Sequence, residues 1–131
     1  MISRLATCCC GQLKASVDAD PVRISMCHCL ACQKRTGSVF GAQAWFPRDN
    51  VRISGDSSEY QRIADSGNRI TFHFCPSCGS TVYYEAEAMP ERTAVPVGAF
   101  ADSQFPAPWV SVYETRKHAW VVTPPDVEHF D

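Results

Sequence analysis

The chain has 131 residues, of which 45% are hydrophobic, and its formal net charge is −2 at pH 7. This length suits one domain with a buried core, and the composition is typical of a globular protein. So small a charge argues against a non-specific nucleic-acid binder and against a protein of the membrane surface. No apolar run approaches the roughly 20 residues of a membrane span, and the first residues do not resemble a secretory signal. We therefore expect a single domain over residues 1–131, located in the cytoplasm.

The predicted elements are mainly short strands. Alternating apolar and polar residues, separated by turn-forming residues, predict strands at 12–18, 22–26, 39–47, 59–64, 69–74, 81–87, 93–100 and 109–115. The segment "DSGN" favours a hairpin turn between the fourth and fifth of these strands. One or two helical turns are predicted over 30–37, with Gly37 as their end. This pattern predicts a sheet-rich sandwich or open barrel with little helix.

Eight cysteines lie in three clusters, which begin at Cys8, Cys27 and Cys75. A disulfide scaffold is the weaker interpretation, because no signal peptide is evident and most of the spacings are too tight for a bridge. In a reducing compartment, clustered thiols are more often metal ligands or catalytic groups. The spacing of the cysteines within each cluster therefore indicates which kind of site each cluster forms.

The cluster "FCPSCGS" has the pattern of a zinc knuckle, with Cys75 and Cys78 as ligands and Gly79 supplying a positive φ. A redox C-x-x-C motif is the alternative, but it belongs at the start of a helix, and here strands are predicted on both sides. A structural zinc ion takes four ligands. The spaced pair Cys8 and Cys10 can supply the other two, and Cys9 between them is expected to be inert.

The cluster "MCHCLACQKRTG" offers three thiols within six residues, Cys27, Cys29 and Cys32, and no fourth cysteine lies nearby. Three protein ligands with an open position are typical of a catalytic zinc, where water or substrate takes the fourth place. Reduced cysteines in a loop and an iron–sulfur cluster are alternatives, and so is closure of the site by a histidine. The histidines considered for that closure are His28, His73 and His118.

Other side chains near these clusters have both a functional and a structural interpretation. Lys34 and Arg35 favour thiolates and could attract a substrate carboxylate, although a solvated turn explains them too. Aromatic residues could wall a cleft or simply pack in the core, namely Trp45, Phe46 and Tyr83. We expect His73 to be structural, because it alternates with phenylalanines on a strand. His129 is expected to be solvated in a surface tail.

Taken in order, "CCCG", "MCHCLACQKRTGS" and "FCPSCGSTVYYE" resemble the signatures of the glutathione-dependent formaldehyde-activating enzyme family, whose relatives include centromere protein V. The segment "SVYETRKHAW" is similar to the family's late segment, so the resemblance runs from Cys8 to about Trp120. The combination of three spaced clusters is specific, whereas any one of them alone is not. One departure is Ser111, where relatives commonly carry histidine.

The resemblance implies a mainly β fold, a tent-like arrangement of small antiparallel sheets with zinc-binding knuckles, and two zinc ions per chain. It places a structural ion on the Cys8, Cys10, Cys75 and Cys78 set, and an exchangeable ion on the Cys27, Cys29 and Cys32 set. It also implies a carbon–sulfur lyase that condenses glutathione with formaldehyde to S-hydroxymethylglutathione. In that interpretation Lys34 and Arg35 contact glutathione. The partners are then a small-molecule thiol and an aldehyde, with no nucleic acid and no membrane.

Two other classes of function compete with the enzyme. A non-catalytic binding module stabilised by zinc could have the same fold, because a fold does not determine a function. A redox or metal-sensing protein could use the eight thiols directly. The number of metal ions per chain and the number of free thiols distinguish these classes.

Overall fold

The structure is a computed structural model that describes residues 2–131. The described residues form one α-helix, α1 (Leu30–Thr36), three short 3-10 helices and eleven strands. The strands are β1 (Ser3–Thr7), β2 (Lys14–Asp18), β3 (Arg23–Cys27), β4 (Gly41–Pro47), β5 (Val51–Ser54), β6 (Ser58–Ile63), β7 (Arg69–Phe74), β8 (Thr81–Ala86), β9 (Arg92–Pro96), β10 (Val110–Val112) and β11 (Glu128–His129). The 3-10 helices are Arg48–Asn50, Val97–Phe100 and Glu114–Arg116. Among these elements no helix is long and apolar enough to cross a membrane.

The strands form two sheets. The smaller sheet has the order β1-β2-β5 and is antiparallel. The larger sheet has the order β11-β10-β3-β4-β9-β8-β7-β6 and is antiparallel, except that β10 runs parallel to both β3 and β11. The mainly β fold with little helix is therefore confirmed, and the parallel pairings are a feature that the sequence pattern does not indicate.

All eight predicted strands exist, with two shortened at their carboxyl ends. The segment predicted as a strand over 93–100 leaves the sheet after Pro96 and continues as a 3-10 helix, because proline has no N–H to donate to a ladder. The segment predicted over 109–115 likewise ends as a strand at Val112 and turns into the 3-10 helix at Glu114. Three observed strands, β1, β5 and β11, lie outside the predicted ranges.

The main core lies between the smaller sheet and one face of the larger sheet. The larger sheet contributes a row of buried apolar side chains, Ile24, Ala44, Phe46, Val82 and Val95. The smaller sheet and the residue before β2 contribute Ala6, Leu13, Ala15 and Val17. Because side chains alternate along a strand, the neighbouring residues of the larger sheet face its opposite side. That side carries a second cluster, Trp45, Phe72, Tyr84, Ala86 and Ala94.

The carboxyl-terminal segment lies at the surface and is attached to the larger sheet. It adds β11 to the edge of the larger sheet, where Phe130 N–H donates to the Ser111 carbonyl at 2.8 Å. Val127 is buried, and the exposed His129 is paired with Glu114 at 2.7 Å. The segment is a surface tail, as expected, and one buried valine and the strand pairing hold it in place.

Candidate metal centres and the adjoining cavity

The first candidate centre brings together two turns that are distant in sequence. Cys8 and Cys10 follow β1, whereas Cys75 and Cys78 lie in the turn between β7 and β8. The four Sγ atoms lie within 4.8 Å of one another. The Cys10 Sγ atom lies 3.6 Å from Cys8 Sγ and 3.7 Å from Cys75 Sγ. The structure therefore assembles the four-thiol set that the spacing of the cysteines predicts.

These sulfur separations suit a metal ion better than a disulfide. A tetrahedral ion with zinc–sulfur bonds of about 2.3 Å sets its sulfurs about 3.8 Å apart, whereas a disulfide needs about 2.05 Å. Cys9 is exposed and lies outside the group. Four thiols without a nitrogen or oxygen ligand are a donor set that suits a closed structural zinc site.

The turns of this centre direct donors at the sulfurs. The backbone N–H groups of Leu13 and Ser77 donate to Cys8 Sγ and Cys75 Sγ at 3.3 and 3.4 Å. Gly79 has a φ of +82° and its N–H closes the knuckle turn onto the Cys75 carbonyl. The Ser80 hydroxyl lowers the pKa of Cys78 to about 5. The pKa of Cys75 is lowered as well, so these two cysteines favour the thiolate form that metal binding requires.

The second candidate centre is the group Cys27, Cys29 and Cys32. Cys27 ends β3, Cys29 caps the amino end of α1, and Cys32 lies in the first helical turn. Their Sγ atoms lie within 4.8 Å of one another, and each residue is only 6–7% exposed. The Cys29 side chain caps the helix through its sulfur, because the Cys32 N–H donates to Cys29 Sγ at 3.3 Å. The predicted end of the helix is also observed, because Gly37 adopts the left-handed conformation with φ +72°.

Within residues 2–131 this second group contains three thiols and no further ligand. The histidines considered as closing ligands are engaged elsewhere. His28 Nε2 lies 2.8 Å from Ser111 Oγ, His73 Nε2 lies 2.9 Å from Glu85 Oε1, and His118 Nε2 lies 3.0 Å from Gln33 Oε1. The residues that the structure describes therefore offer three candidate ligand atoms at this group.

The three thiols of the second group are electrostatically coupled. Hydrogen bonds from the thiols of Cys27 and Cys32 lower the pKa of Cys29 well below its ordinary value. The contact with Cys29 raises the pKa of Cys27 in turn. Three thiolates this close repel one another, so a cation is needed to hold all of them deprotonated together. The donor set and its crowding therefore fit a divalent metal ion.

A cavity of about 320 Å³ opens beside the second centre, and the three cysteines form part of its wall. Its apolar wall is the second cluster of the larger sheet, in which Tyr84 contacts Trp45 edge-on at 5.8 Å and Phe72 at 5.0 Å between ring centroids. Burial raises the pKa of Tyr84, so its hydroxyl stays protonated. Small-molecule sites usually have volumes of roughly 300–1,000 Å³, so this cavity suits a small ligand.

Three arginines line this cavity, namely Arg35, Arg62 and Arg116. The guanidinium carbons of Arg35 and Arg62 lie 5.1 and 5.6 Å from the centroid of the Phe72 ring. In the part of the chain that the structure describes, none of the three arginines forms an ion pair with a carboxylate. The hairpin between β6 and β7 adds Asp65 to the lining. The cavity therefore presents an excess of positive charge to whatever enters it.

The other residues singled out in the sequence are spread over the fold. Arg35 and Trp45 line the cavity, whereas Lys34 is exposed on α1 and is not among the lining residues. Phe46 is fully buried in the main core. Tyr83 stacks on His73 at 4.2 Å between ring centroids, away from the cavity lining. His73 is buried and its Nε2 atom contacts Glu85 Oε1, an environment that agrees with the structural role predicted for it.

Ser111, the departure from the family pattern, is buried and does not line the cavity. It contacts the ring of His28 instead. Sequence reasoning did not single out Gln43, Arg62, Asp65 or Arg116, all of which line the cavity. No local motif marks these four residues, because they come from separate elements that meet only in the folded chain.

The fold and the cysteine groups together define a class: a mainly β protein with one closed four-thiol centre and one open three-thiol centre beside a cationic cavity. A family model described as glutathione-dependent formaldehyde-activating enzyme matches residues 3–116. The chain belongs to that family.

A solved structure of a Rhodobacter sphaeroides protein shares the fold. It superposes with a TM-score of 0.60 at 18% sequence identity, covering 97% of this chain and 99% of the other. At this identity the likeness concerns the fold alone. It shows that the arrangement of the two sheets recurs in a chain of distant sequence.

Proposed function

We propose that this protein is a carbon–sulfur lyase that joins glutathione to formaldehyde and gives S-hydroxymethylglutathione. The observation that carries the proposal is the position of the three-thiol group in the wall of a small-molecule cavity, with no fourth ligand among the described residues. In the reaction, the glutathione sulfur forms a bond to the aldehyde carbon, and the thiol proton ends on the former carbonyl oxygen. No electron is gained or lost, so no redox partner is needed.

The two cysteine groups then serve two zinc ions with different roles. Cys8, Cys10, Cys75 and Cys78 hold a structural ion, and Cys27, Cys29 and Cys32 hold an exchangeable one. When bound to three thiolates, the second ion supplies an open coordination position that lowers the pKa of a substrate thiol. The eight cysteines, all free, suit a reducing compartment, and we place the protein in the cytoplasm.

The chain's own residues bind the rest of glutathione, which carries two carboxylates and one ammonium group. Arg62 and Arg116 have no ion-pair partner in residues 2–131 and are suited to the two carboxylates. Asp65 offers the opposite charge for the ammonium group. Trp45 and Phe72 keep water away from the sulfur with their apolar rings. Lys34, which is exposed, and Arg35 stay in the proposal as predicted glutathione contacts.

The test is the rate of adduct formation, measured by exchange NMR with glutathione and formaldehyde and compared with buffer alone. This comparison is essential because the reaction also proceeds without an enzyme. Zinc-loaded wild-type protein should accelerate the exchange. The Arg62→Gln variant should have a glutathione KM about tenfold higher, because it lacks one charge-assisted hydrogen bond to the substrate. Arg52→Gln, a matched change on the exposed face of β5, should leave the KM unchanged. Exchange no faster than in buffer would overturn the proposal and favour a non-catalytic binding module.

A further inference from the structure

Two residues that line the cavity each carry a buried polar atom with no hydrogen-bond partner within residues 2–131. Gln43 is only 6% exposed, and its Nε2 donates to Ser25 Oγ at 2.8 Å, whereas its Oε1 atom is buried and unpartnered. The Arg35 Nε atom is also buried without a partner. Buried polar groups in folded proteins almost always find a partner, so such atoms call for an explanation. A ligand that both donates and accepts would satisfy the two residues together.

These groups converge beside the three-thiol centre. Gly41 pairs with Cys27 across β3 and β4, and a Cβ atom at Gly41 would approach three different side chains. It would lie 3.2 Å from Arg35 Nη2, 3.5 Å from Cys32 Cβ and 3.6 Å from Gln43 Oε1. The absence of a side chain at Gly41 therefore leaves the amide oxygen and the guanidinium next to Cys32.

The charge of Arg35 supports the orientation in which the Gln43 amide directs Oε1 toward Arg35 and Nε2 toward Ser25. A carbonyl oxygen is stabilised beside a guanidinium, whereas an NH2 group in the same place would direct its positive hydrogens at a cation. The Ser25 hydroxyl accepts from the NH2 side and holds the amide in place. Gln43 therefore presents an acceptor to the cavity, and Arg35 presents donors.

We infer that Gln43 and Arg35 bind the hydroxyl of the S-hydroxymethyl group, which makes them specificity-determining residues for the adduct. This inference rests on the proposed function. A hydroxyl can donate to Gln43 Oε1 and accept from Arg35 at the same time. A free aldehyde oxygen only accepts and a methyl group does neither, so either one leaves the Gln43 oxygen unsatisfied. The pair therefore favours the adduct over the free aldehyde and over a simple S-alkyl glutathione.

The first test uses wild-type, zinc-loaded protein and two ligands that differ by one oxygen atom. Isothermal titration would compare S-methylglutathione with the hydroxymethyl adduct, formed from glutathione and formaldehyde beforehand. The adduct should bind about tenfold more tightly, because only its hydroxyl satisfies the buried amide oxygen. Equal affinities would overturn the inference while leaving the proposed function standing. If neither derivative nor glutathione itself binds, the proposed function fails as well.

The second test removes the acceptor. Gln43→Met keeps the length of the side chain without its oxygen, and Gln61→Met makes the same change at an exposed position on β6. Gln43→Met should lose the roughly tenfold preference for the adduct and bind S-methylglutathione as the wild type does. Gln61→Met should keep the preference. The zinc content of each variant shows that the centre is intact, and retention of the preference in zinc-loaded Gln43→Met would overturn the inference.

Discussion

At the residue scale, the segment Cys27-His28-Cys29 places two kinds of ligand on opposite sides of one backbone. The cysteines face the cavity, whereas the fully buried ring of His28 turns to Ser111. Burial lowers the pKa of His28, so the ring stays neutral at physiological pH. A histidine that could have closed the three-thiol group is therefore held in the core, and the group keeps three candidate ligands.

The first prediction concerns one ligand of this centre. Cys29→Ser should give a folded protein with one fewer zinc ion, because two thiolates bind the ion much more weakly than three. Metal analysis of purified protein, together with circular dichroism, measures both effects. Cys9→Ser, an exposed cysteine outside both groups, should keep two ions and serves as the control. A Cys29→Ser protein that still holds two ions would contradict the assignment of the second centre.

The sequence predicts the cysteines of the site better than it predicts the walls. Ligand spacing within a turn is a local property, so the sequence alone is enough to predict Cys75 and Cys78 as a candidate ligand pair. The cavity depends instead on which strands become neighbours. Arg62 on β6 and Gln43 on β4 belong to strands four places apart in the sheet order. Arg35, a third lining residue, comes from the helix α1. No local pattern records that convergence.

At the element scale, the short strands show where alternation is informative. Strand β8 has one buried and one more exposed side, and its predicted bounds agree with the structure to within one residue. Strand β11 has two exposed residues and no alternation to detect. It forms because the backbone of β10 offers a free edge and Val127 provides an anchor. Its existence depends on tertiary contacts that no local propensity records.

The second prediction tests that anchor. Val127→Ala should lower the free energy of unfolding by about 1–2 kcal/mol, since it removes two methyl groups from a buried position. Val122→Ala makes the same chemical change in the same segment at a residue that is 90% exposed, and it should change the stability by less than about 0.5 kcal/mol. Urea unfolding followed by tryptophan fluorescence measures both variants. Equal stability of the two would contradict the view that the segment is held by burial of Val127.

At the scale of the whole molecule, the two faces of the larger sheet differ in what they contact: one packs in the main core and the other lines the cavity. One face packs on the smaller sheet and forms the main core, and the other face supplies the aromatic wall of the cavity. The four-thiol centre joins the turn after β1 to the turn between β7 and β8, so it connects the two sheets at one end. The three-thiol centre joins only β3 and the adjacent helix α1, which are already connected in sequence.

This difference leads to the third prediction, that losing a ligand of each centre has unequal effects on folding. Cys75→Ser should lower the free energy of unfolding by at least about 4 kcal/mol, because zinc bound between distant turns contributes directly to folding. Loss of the second ion should cost far less, since its ligands lie within one short, continuous segment whose loop is already nearly closed. Ser77→Ala in the same knuckle turn should be nearly neutral, because only the backbone N–H of that residue contacts the sulfur. Thermal melting of Cys75→Ser, Cys29→Ser and Ser77→Ala gives the order of their stabilities directly. A Cys75→Ser protein that melts like the wild type would show that the four-thiol centre does not hold the two sheets together.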